Sequence, residues 1–178
     1  GGGGGSSVDK PALMMVGGEA VYQVSGSLSD GYTSYPVSGN AVYSLSSPGL
    51  PPVQGINPWE WVQQTNLLLG GTSFTPYSSK YFIAQNTSSR EIVMLGFESS
   101  GAAYFFNNWV NDPVLVPATL KSGYTWSWSA SISTGHTMTF HGTVSGPESV
   151  STPIGVYSAY RIQMSLSSES IDANWQWW

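Results

Sequence analysis

Two histidines, His136 and His141, are the only imidazoles in the chain and the first residues to consider for metal or acid–base chemistry. They lie five residues apart in a strand-like stretch, HTMTFHGTV, where alternation would place them on opposite faces. One ion could then contact both side chains only across a bulge. The chain has no cysteine, which removes thiolate ligands and thiol catalysis. The sequence therefore predicts neither a metal site nor a cofactor.

The remaining catalytic side chains form no recognisable constellation. No serine lies in a G-x-S-x-G pattern, and two histidines in one hairpin give no argument for a Ser-His-Asp arrangement. Paired carboxylates would have to face each other across a cleft, whereas these are scattered: Glu60, Glu91, Glu98 and Glu148. The sequence predicts that the protein is not an enzyme.

Tryptophans are the residues with the clearest capacity for binding. Their indoles could stack on sugar rings, line a cavity for an apolar ligand, or fill a sheet core, and core packing is the more ordinary of these roles. Glu60 lies between Trp59 and Trp61, which is compatible with a sugar subsite, but a surface carboxylate between two packing indoles is the favoured interpretation. The candidate ligand-binding residues are Trp59, Trp61, Trp126, Trp128, Trp175 and Trp177.

Composition restricts the classes of partner. Only 8% of the 178 residues are charged, against about 25% in typical domains, and the net charge is -5. Nucleic acid needs clustered Lys and Arg, which are absent, so we exclude it and also an electrostatic membrane-surface site. Uncharged polarity of this kind is common in exported β-proteins. No stretch approaches the roughly 20 apolar residues that span a bilayer.

The first residues, GGGGGSSVDKP, predict a flexible Gly/Ser tether over 1–12 that cannot pack. An artificial linker is one interpretation. The other is the tether of a bacterial lipoprotein, preceded by a signal peptide and an acylated Cys. On the second interpretation the protein is exported to the bacterial cell envelope, periplasmic or outer-membrane associated, and contacts membrane only through that lipid anchor.

Strand patterns dominate the rest of the chain. In YTWSWSASIS, Tyr124, Trp126 and Trp128 alternate with small polar residues, as in a half-buried strand. Further strands are predicted near 80–85, 90–97 and 102–107, joined by NTSS and SSG turns. NPWEWVQQTNLLLGG has the capping residues of a helix but also alternates as a strand, and we favour a short helix near 57–68. The prediction is one all-β domain over 13–178, a curved antiparallel meander sheet forming a half-barrel or open barrel.

Residues 117–178 resemble the TapB-like domains of bacterial cell-envelope proteins. The match consists of an LKSGYTW segment (Leu120–Trp126) and a later run of turn and strand residues: Gly146, Glu148, Val150, Pro153, Gly155, Tyr157, Ala159 and Tyr160. The resemblance implies an exported protein or lipoprotein with a curved sheet like the half-barrels of lipoprotein carriers such as LolA, and it carries over no catalytic residue. Such domains continue where this chain stops, so we expect the natural chain to extend past Trp178.

Three functions follow as hypotheses. The first is a non-enzymatic envelope protein that holds an apolar ligand on the concave sheet face, at Trp126 and Trp128. The second is a carbohydrate-binding β-domain with exposed tryptophans. The third is a protein that binds an envelope partner through a sheet edge, such as an edge-strand dimer formed through the last strand.

Overall fold

The computed structural model describes residues 9–29, 32–132, 134–152, 155–168 and 172–177. Within these ranges the chain forms strands and turns and no helix, which confirms the all-β prediction. The strands are β1 (Glu19–Ser29), β2 (Ser34–Ser46), β3 (Trp59–Leu69), β4 (Thr72–Gln85), β5 (Ile92–Ser99), β6 (Ala102–Phe105), β7 (Asn107–Val110), β8 (Val114–Val116), β9 (Thr125–Ser131), β10 (Thr137–Thr152), β11 (Gly155–Ser168) and β12 (Asp172–Trp177).

The strands pair in two antiparallel sheets. One follows the order β1-β2-β3-β4-β5-β6, with β8 also paired to β5. The other follows the order β12-β11-β10-β9-β7. Most neighbours in each sheet are consecutive in sequence, so the predicted meander is confirmed, as are the predicted strands around β4, β5 and β6.

The contacts of the chain group it into two compact units. The five-stranded unit contains residues 1–13, 84–94 and 105–178, and the hairpin unit contains residues 14–83 and 95–104. The hairpin unit holds β1, β2, β3 and most of β4, whereas the five-stranded unit holds β7 to β12.

The predicted short helix near 57–68 is wrong, because this segment forms strand β3. Its backbone pairs with β2 from Leu69, opposite Val37, to Glu60, opposite Ser46, and with β4 on the other side. Both rows of backbone N–H and C=O groups are therefore satisfied by neighbouring strands. This pairing outweighs the local helix signals at Asn57 and Pro58, which precede the strand.

The core of the five-stranded unit lies on one face of its sheet. Phe140 of β10 is opposite Trp128 of β9 and Leu166 of β11, and all three side chains are buried. Ile162 and Met164 of β11 are also buried. The opposite face carries small polar residues, among them Ser127 and Thr139.

The N-terminal segment that the structure describes is held against the five-stranded unit. Asp9 pairs with Leu120, and the hydroxyl of Tyr160 donates to Oδ2 of Asp9 at 2.9 Å. The buried Gln85 side chain donates through Nε2 to the Ala12 carbonyl at 2.8 Å. Of the predicted tether over 1–12, residues 9–12 thus make specific contacts, and residues 1–8 lie outside the described ranges.

The hairpin unit is less completely covered. Its buried apolar side chains include Ala41, Leu45, Ile83 and Leu95. Strand β3 has neighbours on both sides, yet none of its side chains is fully buried. A central strand of a sheet usually contributes fully buried side chains to the core. The side chains of β3 instead remain partly accessible on both faces of the sheet.

Candidate functional site

Trp128 is a core residue of the five-stranded unit. Its side chain is 2% exposed, stacks on Phe140 with ring centroids 3.9 Å apart, and meets Phe106 edge-on. Its Nε1–H donates to the Val114 carbonyl at 2.9 Å. Both the apolar ring and the polar N–H of this indole are thus occupied by the protein itself.

Trp126 shares this hydrogen-bond acceptor. Its Nε1–H donates to the same Val114 carbonyl at 2.8 Å, and its ring lies over Gly142, the residue opposite it on β10. A side chain at Gly142 would overlap the indole, so glycine is required under this ring. Tyr124 stacks on the outer side of Trp126 at 5.9 Å. Trp126 is therefore half-buried and positioned by the sheet and by β8.

Trp175 and Trp177 are described only by their backbone. They belong to β12, where Trp175 is opposite Met164 and Trp177 opposite Ile162. These positions share the register of buried residues on β11. Their side chains lie outside the described residues, and so does Trp178.

Trp61 lies in a different environment, in an aromatic row on the hairpin unit. Register places it between Tyr81 of β4 and a diagonal neighbour on β2, Tyr43. The Trp61 ring centroid is 5.9 Å from that of each tyrosine, and the rings are tilted by 34° and 46°. All three side chains are partly exposed. We call Tyr43, Trp61 and Tyr81 the aromatic row.

Neutral polar groups border the aromatic row. Gln63 follows Trp61 on the same face of β3, and its Oε1 accepts a hydrogen bond from the Ser79 hydroxyl at 3.5 Å. Trp59, two residues before Trp61, is opposite the buried Ile83. Aromatic rings beside an amide and a hydroxyl can contact both the apolar faces and the hydroxyl groups of a sugar.

Charged groups of the same strands occupy the other face of the sheet. Lys80 contacts Glu98 at 3.1 Å and Glu60 at 3.6 Å, and the hydrogen bond that Lys80 donates to Glu98 raises the pKa of Lys80. Glu60 and Lys80 each adjoin a residue of the aromatic row, so alternation directs them to the opposite face. Glu60 therefore pairs with Lys80 and does not share the face of Trp61.

The histidines do not come together. His136 precedes β10, His141 lies within it, and both are exposed. Within the described ranges no three His, Cys, Asp or Glu side chains are placed to hold a metal ion. Glu148 contacts Arg161 at 3.8 Å across the β10–β11 bulge, so it belongs to an ion pair.

Glu91 is the carboxylate whose ionisation the fold disfavours. Partial burial, followed by the nearby charge of Asp112, raises the pKa of the Glu91 carboxyl, while a hydrogen bond from the Ala118 backbone acts against this. The folded state therefore binds more protons than the unfolded state between the ordinary and the raised pKa, and stability falls as the pH rises through that window. Ionised Glu91 is a cost to the fold at neutral pH.

Replacing Glu91 with Gln should raise the melting temperature at pH 7, because the uncharged amide removes this cost and can still accept the Ala118 hydrogen bond. The difference from the parent protein should narrow as the pH falls below about 4, where the parent carboxyl is itself protonated. Thermal melts of the parent and the variant at pH 7 and below about pH 4 measure this difference in melting temperature. The control is Glu19→Gln, which replaces an exposed carboxylate. A lower melting temperature for Glu91→Gln at pH 7 would contradict the prediction.

Sequence reasoning selected Trp61 but missed its two tyrosine neighbours. Tyr81 lies in the strand predicted near 80–85, but its approach to Trp61, like that of Tyr43, depends on the register of β2, β3 and β4. Because a helix was predicted near 57–68, the pairing of this segment with β2 and β4 was not predicted. The alternation of Trp59, Trp61 and Gln63 was the signal that could have revealed it.

No protein-family model, curated protein or solved structure matches the chain. Its class is defined by its own architecture, an all-β protein of two antiparallel sheets with a partly exposed aromatic row on one of them. In the part of the chain that the structure describes, no helix has the length and apolar character needed to cross a membrane.

Proposed function

We propose that the protein is a non-enzymatic, exported cell-envelope protein that binds a carbohydrate chain on the aromatic row. The observation that carries this proposal is the row itself: Tyr43, Trp61 and Tyr81 come from three adjacent strands and remain partly exposed. The charge-poor composition supports the envelope location.

The aromatic row has the composition that a sugar chain requires. The less polar faces of a pyranose ring pack on aromatic rings, and its hydroxyl groups need amide or hydroxyl partners at the edge of the contact. The partly exposed Gln63 amide provides such a group beside Trp61, and the buried Ser79 hydroxyl donates to its Oε1. The strands hold the rings in place before binding, so little side-chain entropy is lost on association.

The alternative, an apolar ligand held at Trp126 and Trp128, has less support. Phe140 and Phe106 pack directly on Trp128, and the indole N–H groups of both tryptophans are bound to the Val114 carbonyl. A ligand at Trp128 would have to displace these contacts. The aromatic row needs no such rearrangement.

Partner binding through a sheet edge remains a second candidate. β12 is the last strand in the order of its sheet and pairs with β11 on one side. An edge strand of this kind can add a strand from another chain. Analytical ultracentrifugation of the protein tests this function, since a monomer at all concentrations would argue against an edge-strand dimer.

Trp61→Ala should weaken carbohydrate binding at least tenfold, because the central ring of the row makes contact with both neighbours and is positioned to bury the largest area against a sugar. Affinity electrophoresis against neutral polysaccharides and purified peptidoglycan identifies a ligand. Titration of that ligand with detection by tryptophan fluorescence then gives the dissociation constants.

Two further variants separate binding from folding. Trp61→Phe keeps an aromatic face and should retain most of the affinity. Tyr124→Ala removes an exposed aromatic side chain from the five-stranded unit and should bind as the parent does. The proposal fails if the parent protein binds none of these glycans, or if Trp61→Ala binds as tightly as Tyr124→Ala while its circular dichroism spectrum is unchanged.

A further inference from the structure

The beginning of β2 lies beside the β3–β4 turn at one end of the hairpin unit. The β3–β4 turn follows β3 at Gly70 and Gly71. Val37 is opposite Leu69, and the N–H of Gly70 donates to the Pro36 carbonyl at 2.9 Å. We call residues 32–37 and 67–72, which these contacts bring together, the sheet tip.

The sheet tip exposes large apolar side chains. Tyr32 is 99% exposed, Tyr35 39% and Leu68 43%. Single exposed residues of this kind are ordinary, but here Leu68 is opposite Ser38 of β2, Tyr35 lies three residues before Ser38, and Tyr32 lies two residues before β2 begins. Tyrosine and leucine are also residues that favour the boundary between water and lipid, tyrosine because its ring is apolar and its hydroxyl polar.

The apolar side chains of the tip point to both faces of the sheet. Leu67 and Leu69 lie on one face of β3, and Leu68 lies on the other. A protein partner docked on the sheet would cover one face. A lipid layer into which the tip is inserted would contact both faces at once, so this distribution favours lipid over a docked protein.

Charge is nearly absent from this part of the chain. No residue from Trp61 to Ser79 is charged, and Asp30 is the only charged residue from Ala20 to Trp59. Residues 32–37 and 67–72 carry no charge, and Asp30 in the β1–β2 connection is the one carboxylate next to them. Dehydration of charge is the largest cost of entering a bilayer, and here it is confined to that one group. The absence of Lys and Arg also indicates neutral headgroups, because attraction to anionic lipid depends on basic residues.

The backbone of the tip is suited to a low-dielectric environment. The strands on either side of both turns are paired, Leu67 to Leu69 with β2 and with the first residues of β4. In the β3–β4 hairpin, few backbone N–H and C=O groups would thus lose water without a partner. Shallow entry at the level of the headgroups is compatible with this pairing.

We propose that the sheet tip is a peripheral membrane contact that inserts into the interfacial region of a neutral phospholipid bilayer. This site is separate from the aromatic row, so it does not depend on carbohydrate binding. It would hold the protein at a membrane surface in addition to any lipid anchor.

Co-flotation of the full chain with phosphatidylcholine vesicles tests the proposal. The parent protein should float with the vesicles, at low and high salt alike, because the contact is apolar. The double variant Tyr32→Ser with Leu68→Ser should lower the partition coefficient by about tenfold or more. The reason is that two side chains whose apolar area would move from water into lipid are replaced by small polar ones. The matched control, Val156→Ser with Tyr157→Ser, changes two exposed residues of the five-stranded unit and should float as the parent does.

Three outcomes would overturn the proposal. They are a parent protein that stays at the bottom of the gradient, equal losses in the tip variant and the control, and flotation that high salt abolishes. If the parent instead self-associates and the tip substitutions dissociate it without any vesicle binding, the sheet tip is a contact between copies of the chain. If the protein binds no glycan, the flotation results still stand, because the glycan titration tests Trp61 and not the sheet tip.

Discussion

Trp128→Ala should lower the free energy of unfolding by about 3–5 kcal/mol, the range for truncating a large aromatic residue in a packed core. The indole is 2% exposed, and its removal leaves a cavity between Phe140 and Phe106. The β9–β10 pair, which Trp128 joins through Phe140, would lose its main cross-strand contact. Urea denaturation followed by circular dichroism measures the change.

Trp128→Phe separates the loss of the ring from the loss of the N–H. The phenyl ring keeps a stack on Phe140, and the Val114 carbonyl still accepts the hydrogen bond from Trp126. The cost should therefore be smaller, about 1–2 kcal/mol. Both variants lose the hydrogen bond from the Trp128 N–H to the Val114 carbonyl. If they are equally destabilised, this hydrogen bond, and not the packing of the ring, controls stability at this position.

Gly39→Ala should destabilise the hairpin unit by about 2–4 kcal/mol, from backbone strain and overlap together. The φ angle of Gly39 is 149°, a conformation that other residues rarely adopt. A Cβ atom there would also overlap the backbone carbonyl of Asn66 on β3, which cannot move without breaking the β2–β3 pairing. The expected result is a lower urea midpoint.

Gly55→Ala is the matched control for this substitution. Gly55 also has a positive φ, 83°, but no heavy atom lies within 4 Å of the Cβ position. Its cost should be about 1 kcal/mol, from backbone strain alone. If Gly39→Ala costs no more than Gly55→Ala, the close approach of Asn66 has no energetic consequence.

Much of the all-β architecture could be predicted from sequence because alternation is a local property. Tyr124, Trp126 and Trp128 alternate with Thr and Ser, and the strand and its buried face follow directly. Glycine and asparagine turns likewise marked the ends of β4, β5 and β6. The segment at 57–68 was mispredicted because its capping residues favour a helix locally, whereas its pairing partners lie far away in the chain.

The candidate site was less accessible to sequence reasoning. Six tryptophans were selected by residue type, but residue type does not distinguish Trp128, which packs in the core, from Trp61, which stays partly exposed. The difference arises from what covers each sheet face. Phe106 comes to cover Trp128 through tertiary contacts between residues more than twenty positions apart.

By itself the sequence determined the strand class and the scarcity of charge, since these depend on composition and on near neighbours. Only the tertiary structure decided which indoles are core residues and which neighbours they have. It placed Tyr43 and Tyr81 beside Trp61, and it brought Tyr35 and Leu68 to one end of the sheet. The physical reason is that strand register joins residues distant in sequence, and register is fixed by the burial and hydrogen bonding of the whole sheet.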